Sequence, residues 1–232
     1  GDTLTIFFFL FKASTGVTNE QQRAAEVDSL SKVTNAFAPG SNFLVCGDFN
    51  IYSSNETAYQ KLLELQPGAE GQFYDVLNLP GLWNNPAYAP YHSQSTRLRS
   101  FGGGSTGGLD DRFDMILFSN GILQTGGVTY VSGSLQVFGN DGQHYNDSIN
   151  HQPNSAVSVN VANALHHASD HLPVMASLNF TVPSSSPFHD VGVLAFVPPL
   201  SICPDENVML KVSVKNYGST SINFANDPVF VN

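Results

Sequence analysis

The chain is short of positive charge. Nine Lys and Arg stand against nineteen Asp and Glu in 232 residues, giving a formal net charge of −10 and a pI near 4.9. A protein that grips long duplex DNA without sequence preference carries a basic footprint, and this composition argues against one. Acidity does not exclude a nuclease, because metal ions can stand between carboxylates and phosphate. Cysteine is equally scarce: Cys46 and Cys203 could form one disulfide, but two cysteines are not a disulfide framework. Long apolar runs are missing as well, Ile6 to Phe11 being far shorter than a membrane span, and no secretory leader is visible. Only 12% of residues are charged, and 20 Gly and 13 Pro argue for strands and turns over a helical bundle. The abrupt ends, Gly1-Asp2-Thr3 and Phe230-Val231-Asn232, read as cuts from a longer chain.

What is present is an alternation of strand and helix patterns. Thr3 to Phe11 is rich in β-branched and aromatic residues and predicts a buried strand. Ala24, Val27, Leu30, Val33 and Phe37 fall near helical spacing within Glu20–Phe37, with Thr18 or Asn19 as N-cap and Pro39-Gly40 as the stop. Asn42 to Cys46 predicts a short strand, and Glu56 to Leu65 a second helix. Further on, strands are expected over Arg112–Phe118, Gly127–Val131 and Leu172–Phe180, with a short helix over Val157–His166. Strand, helix and strand in that order predict an α/β layered domain. Pro183-Ser184-Ser185-Ser186-Pro187 reads as a linker, dividing the chain into 1–182, a linker 183–188 and a β-rich tail 189–232.

Two polar runs carry the chemistry. Cys46-Gly47-Asp48-Phe49-Asn50 follows the apolar Phe43-Leu44-Val45, and period-two alternation puts Asp48 and Asn50 on one face. Ser169-Asp170-His171-Leu172-Pro173, expected at a second strand end, supplies an acid and a proton-transfer group. Taken singly, the first run also fits a β-turn and the second a helix N-cap with a surface His. Together they outline a phosphoesterase site that would favour Mg²⁺ or Mn²⁺ over zinc, since no Cys/His cluster accompanies them.

Arg112, Asp114 and Ile116 share one face of the next strand. Asp114 could fix the His171 tautomer, with Asp111 competing for that role, or it could pair structurally with Arg112. Arg97, at the end of His92-Ser93-Gln94-Ser95-Thr96-Arg97, suits bidentate phosphate contact, as Ser95 and Thr96 suit single hydrogen bonds. Gly102 to Gly108 lacks Gly-Lys-Ser/Thr and reads as a loop over the site. His166 and His167 read as partners of a helix C-terminal dipole. His144 and His151 receive no role.

These motifs resemble the endonuclease/exonuclease/phosphatase family, whose fold is deoxyribonuclease-I-like. The residues that carry the likeness are Gly47-Asp48-Phe49-Asn50, Asp111-Arg112-Phe113-Asp114 and Ser169-Asp170-His171-Leu172-Pro173, in the family's order, over residues 1 to 182. Phe11-Lys12-Ala13-Ser14 and His92 to Arg97 are similar to segments of secreted bacterial members.

The resemblance implies a β-sandwich flanked by helices, incomplete at its N-terminal side, that hydrolyses phosphoesters with Mg²⁺ or Mn²⁺. On that basis Asp48 orients or deprotonates water, and Asn50 positions water and phosphate. Asp170 with Asp48 serves the metal, and His171, oriented by Asp114, stabilises the phosphoryl oxygens. The implied protein is a secreted or surface-located nuclease or phosphodiesterase, expected as a monomer, with a phosphoester as substrate and nucleic acid among the candidates.

Two departures point to impaired activity. The family's metal-binding Glu would lie upstream of Gly1, and Leu10 stands where a His is usual. A non-catalytic binding or display protein that kept the fold is therefore the alternative. The tail, through Asp190-Val191-Gly192-Val193 and Val212 to Gly218, resembles part of an immunoglobulin-like module of exported bacterial enzymes.

Overall fold

A computed structural model describes residues 3–124, 126–181, 190–197, 211–223 and 226. The chain divides into two compact units, Gly1–Thr181 and Val182–Asn232. The fold is mixed α/β. The proposed linker, Cys203 and Val208 lie outside the described residues.

The first unit is organised on a three-stranded sheet of order β1-β2-β3. β1 (Leu4–Leu10) runs parallel to β2 (Asn42–Asp48), and β2 runs antiparallel to β3 (Asp114–Phe118). One sheet face presents Phe43, Val45, Met115 and Leu117 to a core shared with Val27, Leu30, Leu62 and Trp83, from helices α1 (Val17–Thr34) and α2 (Thr57–Leu63) and a loop. The other face presents Leu44 and Phe118 to a second core with Ile122, Val128 and Leu135. Those residues come from α3 (Asn120–Leu123), β4 (Val128–Tyr130) and the loop after it. β4 pairs with β7 (Leu178–Phe180), and β5 (Gln136–Val137) with β6 (Val174–Met175), each antiparallel. Helix α4 (Val159–Ala168) leads into Ser169-Asp170-His171.

Several expectations need correcting. β1 is covered on one face only: Phe7 and Phe9 pack on the first core, while Ile6, Phe8 and Leu10 are 45%, 78% and 77% exposed, because the second core covers β2 and β3 but reaches β1 only at Leu4. α1 starts at Val17 behind Gly16, without a side-chain cap, and ends at Thr34. Two helical turns of 3.6 from Val27 reach Thr34, so Thr34 is buried and Val33 faces solvent. The expected strand Leu172–Phe180 is two short strands in different sheets, β6 and β7. Ser169 caps the C-terminus of α4, so the Asp-His pair leaves a helix and not a strand. Cys46 is a free, half-buried thiol, and burial raises its pKa.

In the second unit β8 (Val191–Val197) pairs antiparallel with β9 (Lys211–Asn216), with an irregularity between Val193 and Ala195. No helix among the described residues is long and apolar enough to cross a membrane.

Candidate active site

The register of the central sheet builds the site. Leu10 lies opposite Asp48, and Asp48 lies opposite Asp114, so three neighbouring strands bring these side chains to one face at one end of the sheet. Gly47 makes the approach of β2 to β1 possible: its φ is +136°, and a Cβ there would collide with the Phe9 carbonyl.

The chain reverses directly after Asp48, and Asn50 adopts the left-handed conformation at φ +49° that Asn tolerates. Its backbone N–H donates to Asp48 Oδ1 at 2.9 Å, and its Nδ2 donates to Asp48 Oδ2 at 3.0 Å and to the Phe11 carbonyl at 3.0 Å. Asn50 is thus a clamp on Asp48. Its amide hydrogens are engaged within the protein.

His171 meets Asp114 across the strand end: Nδ1 donates to Asp114 Oδ2 at 2.7 Å. Its Nε2 lies 4.0 Å from Asp48 Oδ2. All three side chains are partly exposed, at 24%, 20% and 17% for His171, Asp114 and Asp48. Burial opposes charging the ring, but the Asp114 hydrogen bond and charge, with Asp48 and Asp170 behind them, outweigh it and hold the His171 pKa above its ordinary value. Burial is also the chief reason that the Asp48 pKa is raised, helped by the Asp114 charge and opposed by Asn50 and His171. A carboxyl that releases its proton above the usual range, next to an imidazole that keeps one longer, is a pair suited to proton transfer.

Two participants had escaped the sequence reading. Ser93, fully buried, donates from Oγ to Asp114 Oδ2 at 2.6 Å and accepts from the Asp114 backbone N–H at 3.1 Å. The Gln94 amide nitrogen stands 2.5 Å from His171 Nε2. That amide can serve either ring state, its N–H donating to neutral imidazole and its oxygen, after a flip, accepting from imidazolium. Both residues lie in a segment without hydrophobic period; only their place between two functional motifs marked them.

Other expected residues are engaged elsewhere. Arg97 is 5% exposed, and its guanidinium donates to the carbonyls of His166, Phe101, Gly103 and His167, so it braces loops and is not free for phosphate. Ser95 and Thr96 are buried and donate to the carbonyls of Ser105 and Ser169. Arg112 precedes β3, is buried, and pairs with Asp75 at 2.7 and 2.9 Å, not with Asp114. Asp111 makes no hydrogen bond to His171; burial, then the Asp110 charge, pushes its pKa up to about 7. His166 titrates below its ordinary value through burial and the neighbouring His167 and Arg97, which makes it a poor cationic partner for the helix dipole. His144 is buried between Asp141 and the His151 carbonyl, and His151 bonds Asp147, all within one structural loop.

The glycine-rich loop reaches Asp170. Ser105 N–H donates to Asp170 Oδ2 at 2.6 Å, and a Cβ at Gly104 (φ +81°) would stand 2.8 Å from Asp170 Cγ. Among the described residues no group of three or more His, Cys, Asp or Glu is arranged to hold a metal ion. Asp48 and Asp170, the carboxylates expected to serve a metal, each accept hydrogen bonds within the protein. No family model matches the chain, and no curated protein is significantly similar to it.

Proposed function

We propose that the first unit carries a phosphoester hydrolase site of the endonuclease/exonuclease/phosphatase type on a deoxyribonuclease-I-like fold. The observation that carries this reading is the His171 dyad: Nδ1 held by Asp114 at 2.7 Å, with Nε2 turned toward Asp48 at 4.0 Å. In this reading Asp48, ionised, draws a proton from the attacking water, and His171, protonated and steadied by Asp114, meets the charge that grows on the phosphoryl oxygens. Ser93 and Asn50 hold the two carboxylates in place, and Gln94 accompanies His171 Nε2. Divalent-metal dependence and an extracellular location belong to the same proposal. The first is supported by the motif likeness, the second by the acidic composition and the strands that follow the first unit.

A non-catalytic binding protein is the second reading, favoured by one observation: Leu10, exposed and opposite Asp48, puts an apolar side chain where a polar one would complete the site. Hydrolysis of bis(4-nitrophenyl) phosphate, with Mg²⁺ and again with EDTA, separates the two. Activity that disappears in Asp48→Ala and His171→Ala supports the hydrolase. Equal rates in wild type and His171→Ala would show that the site is not the one described, and a wild type with no rate above buffer favours the binding protein.

A further inference from the structure

A pocket that the hydrolytic steps do not use is formed by the loop after Arg97 and the last turn of α4. The buried Arg97 draws the Leu98–Ser105 loop onto the last turn of α4, bonding the carbonyls of Phe101 and Gly103 on one side and of His166 and His167 on the other. That anchoring leaves Leu98 and Phe101 47% and 44% exposed, with Arg99 also exposed and without a hydrogen bond or ion pair among the described residues. Between them is a cavity of about 420 Å³ lined by Leu98, Arg99, Ser100, Phe101, Ser148 and His166.

The cavity has the parts of a stacking site. The Arg97 guanidinium carbon lies 5.3 Å from the Phe101 ring centroid, and His167 meets that ring edge-on at 4.8 Å, so the ring is fixed by its neighbours while much of it stays open to solvent. His166 lines the wall and tilts toward the same ring, centroid to centroid 5.8 Å. An aromatic ring held in a fixed orientation and partly open to solvent suits stacking with a flat ring. Arg99 at the rim suits the phosphate attached to it. The same loop binds Asp170 through Ser105, and Asp170 is followed directly by His171, so the pocket's loop is tied to the segment that carries His171.

We infer that this pocket stacks an unpaired nucleobase, which makes single-stranded nucleic acid the phosphodiester class that the site engages. The inference rests on the phosphoesterase reading for what is cut, and on the pocket alone for what is bound. The net charge of −10 disfavours long duplexes, whose affinity comes chiefly from many phosphate contacts, whereas stacking needs few. Two exposed apolar side chains offer too little surface for a lipid chain.

Binding of a labelled oligothymidylate to the His171→Ala protein in EDTA, measured by fluorescence anisotropy, tests this without cleavage. An oligomer of equal length with abasic sugars keeps the phosphates and removes the bases. The base-bearing oligomer is expected to bind about tenfold tighter. Phe101→Ala and Phe101→Leu should both abolish that preference, while Arg99→Ala should weaken both oligomers alike and flatten the salt dependence. Equal affinity for the two oligomers, a preference that survives both Phe101 variants, or tighter binding to duplex than to single strand would overturn the inference. A base preference that persists while His171→Ala hydrolyses phosphodiesters as fast as wild type would overturn only the catalytic reading.

Discussion

Two aspartate–cation networks stand two residues apart in sequence and behave differently. Arg112 pairs with Asp75 through two hydrogen bonds, at 2% and 1% exposure, with its guanidinium carbon 5.0 Å from the Trp83 ring centroid and Tyr59 O–H donating to the same carboxylate. Asp114 pairs with His171, also at short range, but both remain about one-fifth exposed, and His171 Nε2, touched by the Gln94 amide, lies 4.0 Å from Asp48. The first network satisfies its partners and excludes water. The second leaves a titratable nitrogen reachable. Short distance alone would rank the two alike; exposure separates a structural pair from a reactive one.

The largest effect that would break this contrast is on stability. Asp75→Asn leaves Arg112 buried without its charge partner and is expected to cost about 3–5 kcal/mol in urea unfolding. Asp114→Asn, with its partner able to reach water, should cost no more than about 1 kcal/mol. Similar losses in the two variants would erase the distinction.

On activity the order reverses. His171→Ala and Asp48→Ala should lower the rate by about 10²–10⁴-fold with unfolding midpoints near wild type, whereas Arg97→Lys should lower stability more than rate. A collapse in rate for Arg97→Lys at unchanged stability would return Arg97 to the site.

The pH profile sharpens the contrast further. Asp48 must be ionised and its pKa is raised, so the rate should begin to climb only above the usual carboxylate value of 3.8. His171 must be protonated and its pKa is also raised, so the rate should persist past pH 6.5 before falling. In Asp114→Asn the alkaline fall should move to lower pH, and an unmoved limb would remove Asp114 from the mechanism. The smallest expected effect is a gain: Leu10→His, placed opposite Asp48, should raise a weak rate several-fold, and no change would detach Leu10 from the site.

These contrasts also explain what the sequence could reveal. Asp48 could be placed because it ends an apolar strand, and Asp114 because period-two alternation orients it, whereas His171 is delivered by the end of α4 and not by the strand expected there. Arg112 was misplaced because the strand begins only at Asp114 and its partner Asp75 is 37 residues away, a pairing that no local pattern encodes. Arg97 failed for the same reason. Guanidinium chemistry fits phosphate and backbone carbonyls equally well, and only the packing of α4 against the Leu98–Ser105 loop decides between them. Ser93 and Gln94 were missed because a loop has no period to read. The strand forecast over Leu172–Phe180 split because Val174 and Leu178 pair into different sheets.

The most direct test of the central claim is an NMR titration of the His171 ring in wild type and in Asp114→Asn. A midpoint above 6.5 is expected in wild type, falling toward the ordinary value once the Asp114 charge is gone. A His171 that titrates at or below 6.5 in wild type, unmoved by Asp114→Asn, would contradict it.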